Sequence, residues 1–276
     1  MTAITAGPTR TVRLGLARIR YEVRLYFRAG DAVFFTFLFP ALMLLIFSTA
    51  FSNSSFGTDA AGHDVSAAAF YLPAMLAAGL LLSGLQNMAI DIARERGDGT
   101  LKRLGGAPVS PTSYFMGKLG QMLVTGALQA VLLLLVAGLL FHVPLPTDVG
   151  AWATFGWVFV LGVTTSGVLG IALSAVPRSG RSATAVVIPI TLILQFISGV
   201  YLQFTNLPNW LQTVASVFPL KWMAQGMRAV FLPSTFEQLE VGGDWNLPGV
   251  AIACGIWLVV GLVLCRLTFR WIRKDS

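Results

Sequence analysis

The sequence has little charge and little cysteine. Only 11% of its 276 residues are Asp, Glu, Lys or Arg, whereas about a quarter of the residues of a soluble globular protein are charged. The two cysteines, Cys254 and Cys265, lie in one apolar run, about 16 Å apart on a helix, which is too far for a disulfide. They match no metal-binding spacing either. The composition therefore argues against a soluble domain and against a disulfide-stapled one.

Long apolar runs account for most of what is present. Hydrophobic residues make up 55% of the chain, and about 20 consecutive apolar residues suffice for a helix to cross a bilayer. Six runs are long enough: Ala32–Phe51, Ala67–Ile92, Ser113–Phe141, Ala151–Val176, Ala183–Phe204 and Pro248–Trp271. We therefore predict an all-α integral membrane protein with six transmembrane helices.

The basic residues predict the orientation of these spans. Seventeen of the 19 Lys and Arg residues fall on one side when loops are assigned alternately. The positive-inside rule then places both termini in the cytosol, and the Arg-rich residues 1–31 make a signal peptide unexpected. The net charge of +7 is thus a topology signal, and no nucleic-acid partner is expected.

The N-terminal segment predicts an amphipathic helix lying at the membrane interface. One side carries Val12, Leu16, Ile19, Val23, Tyr26 and Phe27, and the opposite side carries Arg10, Arg13, Arg20, Arg24 and Arg28. Leu14, Tyr21 and Leu25 interrupt this pattern. The alternative is a basic tail that serves only topology.

The loop of residues 93–111 combines charge, glycine and a short apolar repeat. Helical spacing puts Leu101 and Leu104 on one side, where they could dock in a groove of a soluble partner. Glu95, Arg96, Lys102 and Arg103 would surround them. Because Gly97 disfavours a helix, the helix is expected to begin at Asp98 or later. The alternative is a loop that only orients the protein.

These residues carry a resemblance to a known family. The loop is similar to the E-R-x-x-G-T-L-x-R-L-x-x-x-P pattern of ABC-2 family permeases, in particular the drug-resistance type. The matching residues are Glu95, Arg96, Gly99, Thr100, Leu101, Arg103, Leu104 and Pro108. The resemblance implies that they form a cytosolic coupling helix, which contacts a separate nucleotide-binding subunit.

The resemblance also implies an assembly. Two copies of a permease, as a homodimer or heterodimer, would join two ATP-binding subunits in a bacterial plasma membrane and export a hydrophobic or amphipathic, drug-like compound. Residues 32–271 would form the transmembrane domain and residues 272–276 a cytosolic tail. This chain would need no cofactor and would not be an enzyme, with ATP and Mg²⁺ bound by the partner. The alternatives are a lipid or polysaccharide exporter, or a membrane-embedded enzyme or assembly factor without transport.

A second stretch, residues 205–247, resembles the short external re-entrant helices of this family. Trp210, Pro219 and Trp222 are candidates for an external gate, although simple anchoring at the interface explains them as well. Lys221 and Arg228 are expected to extend towards lipid headgroups.

Further predictions come from what the spans and loops lack. The only Gly-Lys pair, Gly117 and Lys118, lacks the other residues of a phosphate-binding loop. No ionisable residue lies near the middle of a span, which argues against an ion-coupled carrier.

Three glutamines are the polar residues of interest inside the spans: Gln86, Gln129 and Gln195. They are candidates for a translocation path or a dimer seam, the alternative being hydrogen bonds to neighbouring helices.

Overall fold

The computed structural model describes residues 8–107, 110–177 and 179–268, with side chains from residue 11 onward. Within these residues, six helices are long and apolar enough to span a membrane: α2 (Gly30–Ala50), α3 (Ala67–Gly97), α5 (Pro111–Leu140), α6 (Val149–Leu173), α7 (Gly180–Ile197) and α10 (Leu247–Thr268). Four further α-helices in the same ranges accompany them: α1 (Pro8–Tyr26), α4 (Thr100–Gly105), α8 (Asn209–Val217) and α9 (Pro219–Phe231). The predicted six-span, all-α fold is confirmed.

Polar residues cap the starts of α3, α5, α6 and α7. Side chains of Ser66, Ser110, Asp148 and Ser179 each accept a hydrogen bond from a backbone N–H in the first turn of the following helix. Such caps satisfy amide groups that otherwise have no partner within the helix. Each cap therefore marks where an apolar run becomes helical.

The helix α3 lies at the centre of the bundle and contacts α2, α5, α6, α7 and α9. Its residues are almost all buried. The outer helices instead expose Leu, Val and Ile side chains, for example Leu139, Ile193 and Val259. A surface that is apolar all round suits hydrocarbon and not water.

Two spans are longer than the bilayer requires. At 1.5 Å per residue, the 31 residues of α3 and the 30 of α5 extend about 45 Å, against a hydrocarbon core of about 30 Å. Their charged residues lie at one end, which also carries α1 and α4 and is called here the arginine-rich end. The part that projects there is the head: α1, α4, residues 88–97 and residues 111–120.

Candidate functional site

The head is assembled on α1, which packs lengthwise against the first turns of α5. Three glycines allow the close approach. A Cβ atom on Gly15 would meet Met116, and one on Gly117 or Gly120 would meet the side chain of Arg18 or Ile19. The two helices therefore form a tightly packed pair.

The side of α1 that is buried coincides only in part with the predicted apolar stripe, which shares Tyr26 with it. Gly15, Glu22 and Tyr26 are buried, whereas Val12 and Leu16 are 48% and 59% exposed. The buried side is polar because it meets polar groups of other helices. The Tyr26 hydroxyl donates to the Ala32 carbonyl at 3.1 Å and accepts from the Asn87 amide at 3.3 Å.

A buried ion cluster holds the head together. The Lys118 ammonium lies 2.9 Å from a Glu22 carboxylate oxygen and 2.7 Å from one of Glu95. Arg18 contacts Glu22 at 2.9 Å, and the Tyr114 hydroxyl donates to Glu95 at 2.7 Å. These pairs join α1, α3 and α5. The sequence does not predict the cluster, since Glu95 lies in the loop of residues 93–111 and Lys118 lies in the apolar run Ser113–Phe141.

The predicted coupling segment is divided between two helices. Glu95 and Arg96 belong to the end of α3, and α4 begins only at Thr100, after Gly99 with φ +78°. Arg96 donates to the backbone carbonyl of Ser174 at 2.6 Å. Both charged residues thus bind their own chain, and they do not rim an exposed docking helix as expected.

Within α4 the exposed residues are not the leucines. Leu101 is 1% exposed and belongs to the core of this chain, so the expectation that it is available to a partner is wrong. Leu104 is half-buried, whereas Lys102 and Arg103 are exposed. One turn of helix can present only one side outward, and its apolar side faces the bundle. Pro108 lies outside the described residues.

A cleft of about 570 Å³ separates α1 from α4. Its lining comes from both helices and the end of α3: Leu14, Arg18, Tyr21, Leu25, Glu95, Asp98, Thr100 and Leu104. Tyr21 and Leu25, which interrupted the amphipathic pattern of the sequence, are 58% and 45% exposed here. Exposed Arg20, Arg24, Lys102 and Arg103 belong to the same two helices. The head therefore presents a cleft that is apolar in part, with Glu95 and Asp98 in its lining and exposed basic residues on both helices.

The three span glutamines are buried inside the chain and line no exposed surface. Gln86 accepts a hydrogen bond from Thr191 at 2.7 Å, and Gln195 accepts one from Tyr201 at 2.5 Å. Gln129 packs against Gly79. Gln86 is 5% exposed, Gln195 is 3% exposed and Gln129 is 0% exposed. The three glutamines therefore do not form a dimer seam or an open path in this structure.

At the opposite end, α9 is inserted between α3, α6 and α10. Trp210 is exposed, Pro219 is buried, and the half-buried Trp222 donates to the Ser216 carbonyl at 2.8 Å. Only Trp210 is thus placed as the interface anchor that the sequence suggests. The gate role of all three stays a prediction.

Lys221 and Arg228 do not extend to headgroups, and this expectation is wrong. Lys221 contacts Gln225 and lies over the Trp222 ring, 4.0 Å from its centroid. Arg228 pairs with Glu240. The two cations are 2% and 8% exposed, because residues of the following loop cover this side of α9. Burial lowers the pKa of Lys221 from 10.5 to about 8.

Among the described residues, no group of three His, Cys, Asp or Glu side chains is placed to hold a metal ion. Both cysteines are free thiols.

Comparisons with known proteins agree with the fold. The family model "ABC-2 type transporter" matches residues 16–232. The chain is also 22% identical over 187 residues to the "Probable multidrug ABC transporter permease YbhR" of Escherichia coli K12, and equally to that of Escherichia coli O157:H7. The alignment covers 67% of this chain and 50% of each relative. The chain thus matches about half the length of these curated relatives.

Proposed function

The chain belongs to the ABC-2 type transporter family, and we propose that it is the membrane-spanning permease of an exporter driven by a separate ATP-binding subunit. ATP and Mg²⁺ would bind on that subunit, because this sequence contains no phosphate-binding loop. Two permease copies and two ATP-binding subunits would form the complex. The arginine-rich end would face the bacterial cytosol, as the distribution of basic residues favours.

The cleft between α1 and α4 is the observation that carries this proposal. Exposed apolar side chains in a concave, basic surface are typical of a protein docking site. The ATP-binding subunit would insert an apolar residue between Tyr21 and Leu104 and place acidic residues against Lys102 and Arg103. Glu95, Arg96, Gly99 and Leu101 would act from within the head, by holding α4 in position.

The cargo would be a hydrophobic or amphipathic, drug-like compound. An apolar cleft of about 320 Å³ lies between α3, α6, α7 and α10 and is lined by residues such as Leu85, Leu194 and Trp257. Pockets of this size bury small ligands. The word "multidrug" in the name of the relative supports the same class. The apolar lining also fits the second candidate, an exporter of lipids.

Two matched substitutions on α1 test the docking proposal. Tyr21 and Leu16 are almost equally exposed, at 58% and 59%, but only Tyr21 lines the cleft. Since aromatic anchors at interfaces contribute about 2 kcal/mol or more, Tyr21→Glu should weaken binding of the ATP-binding subunit about 30-fold. The binding constant would be measured in nanodiscs, with a spanless P-loop ATPase from the same gene neighbourhood.

Leu16→Glu is the control and should bind as the unaltered chain does. Equal binding by both variants would remove the cleft as the docking site. Equal loss in both would point instead to a general disturbance of α1.

A further inference from the structure

The interface between α3 and α5 contains polar groups without partners, deep in the bundle. The amide of Gln129 is 0% exposed and the hydroxyl of Ser83 belongs to a residue that is 1% exposed. Neither side chain has a hydrogen-bonding partner within the described part of the chain. An unpaired buried amide or hydroxyl is destabilising, and far more so in hydrocarbon than near water. Gln86 and Gln195, in the same bundle, are both paired.

The register of the two helices shows how close these groups are to one another. The chains of α3 and α5 run antiparallel, with Gln129 against Gly79 at one point and Tyr114 bonded to Glu95 nearer the arginine-rich end. Ser83 follows Gly79 by four residues, at the start of the π-helical segment Leu82–Gln86, and so lies about one turn closer to the head on nearly the same side of α3. Gln129 is thus one turn out of register with Ser83.

We propose that Gln129 hydrogen-bonds Ser83 in a second transport state, which α5 reaches by moving along α3 towards the arginine-rich end. The displacement is at most one turn, about 5 Å, and less if the Gln129 side chain also reorients. The inference rests on the proposed function, since it assigns these two residues to the transport cycle. Ser83 and Gln129 act there as positioning residues.

Part of the head fits such a movement, which would break the hydrogen bond from Tyr114 to Glu95. Lys118 reaches along α3 to Glu95, and a cavity of about 110 Å³ lined by Asp91, Lys118 and Gln121 lies beside it. Moving α5 in the proposed direction brings Gln121 towards Asp91. The glycine contacts between α1 and α5 mean that the two helices move together. A partner pulling on α1 would therefore shift α5.

The consequence is an interface with two discrete arrangements. Hydrogen bonds that are missing in the resting arrangement and formed in the shifted one lower the free energy of the shifted arrangement. The bound partner would supply the rest of the free-energy difference between the two arrangements. Gln129 thus raises the free energy of the resting arrangement relative to the shifted one.

Cysteine cross-linking tests the register directly, in a background with Cys254→Ala and Cys265→Ala. A disulfide needs Cβ atoms about 4 Å apart. Gly79→Cys with Gln129→Cys should cross-link in the resting permease. Ser83→Cys with Gln129→Cys should cross-link only in the complex with the ATP-binding subunit, trapped with ATP and vanadate. Cross-linking of the second pair to the same extent in both states, or in neither, would overturn the proposal.

A pair of glutamine substitutions provides a measurement that needs no partner. Gln129→Leu removes an unpaired amide and should raise the melting temperature of the purified permease, whereas Gln86→Leu breaks an existing hydrogen bond and should lower it. In the complex, Gln129→Leu should slow ATP turnover about fivefold, the factor that one net hydrogen bond is worth.

A lower melting temperature for Gln129→Leu would overturn the inference. If no ATP-binding subunit binds the chain at all, the proposed function fails, and the melting comparison still decides whether Gln129 is unpaired at rest. If the complex forms and turns over ATP without the state-dependent cross-link, only the inference fails.

Discussion

Replacing Lys118 with methionine should destabilise the head more than any single surface change. Lys118 is 2% exposed and contacts both Glu22 and Glu95. Its removal leaves two buried carboxylates short of a cation. Breaking a buried ion pair by deleting one partner costs about 3–5 kcal/mol. Arg18 still contacts Glu22 at 2.9 Å, so the lower value, about 3 kcal/mol, is expected.

An exposed ion pair provides a reference for this loss of unfolding free energy. Arg94 and Asp31 approach to 3.5 Å but are 45% and 60% exposed, so Arg94→Met should cost less than about 1 kcal/mol. In detergent, a loss of about 3 kcal/mol corresponds to a melting temperature lower by about 6–12 °C. The measurement is thermal unfolding of the purified permease followed by tryptophan fluorescence.

A second substitution separates charge from packing. Adding Glu95→Gln to Lys118→Met removes one uncompensated carboxylate and should restore part of the lost melting temperature. The reasoning is refuted if Lys118→Met and Arg94→Met lower the melting temperature equally, or if Glu95→Gln lowers it further in the double variant.

Two further predictions concern Lys221 and Gly99. The pKa of Lys221 is lowered to about 8 in the folded protein, below its value in the unfolded chain. Above pH 8 the unfolded state therefore binds more protons than the folded state, and stability should rise with pH from about 8 to about 10.5. Relative to Lys221→Met, the unaltered protein should therefore gain melting temperature between pH 7.5 and 9.5, and a constant difference would contradict this. Gly99 has φ +78°, so Gly99→Ala should cost about 1 kcal/mol of unfolding free energy, while Gly99→Asn, which tolerates this conformation, should cost less in the same thermal assay.

The sequence predicted the elements that depend on long apolar runs. All six spans appear because a bilayer-length hydrophobic run has few alternatives to a helix. The separation of α4 from α3 is also predicted, since Gly97 disfavours a helix that continues from one into the other. At these positions, local composition alone predicts where helices form and end.

Side-chain surroundings at the candidate site were harder to predict. Helical spacing predicts that α4 has an apolar side but does not show what covers it, so the burial of Leu101 does not follow from the sequence. The burial of Lys221 and Arg228 does not follow from the sequence either, because the loop containing Glu240, which covers this side of α9, lies outside the span pattern. The Lys118 cluster joins residues from three helices, and pairing of this kind depends on tertiary packing.

Site-specific photo-cross-linking from position 21 tests the central claim most directly. A benzoylphenylalanine in place of Tyr21 should cross-link to the P-loop ATP-binding subunit in the membrane. The control position is Leu139, which is 70% exposed on a membrane-spanning helix. The same group there should react only with lipid or with another copy of this chain. Reaction of position 21 with lipid alone, while the ATP-binding subunit remains bound to the complex, would contradict the assignment of the α1–α4 cleft as its docking site.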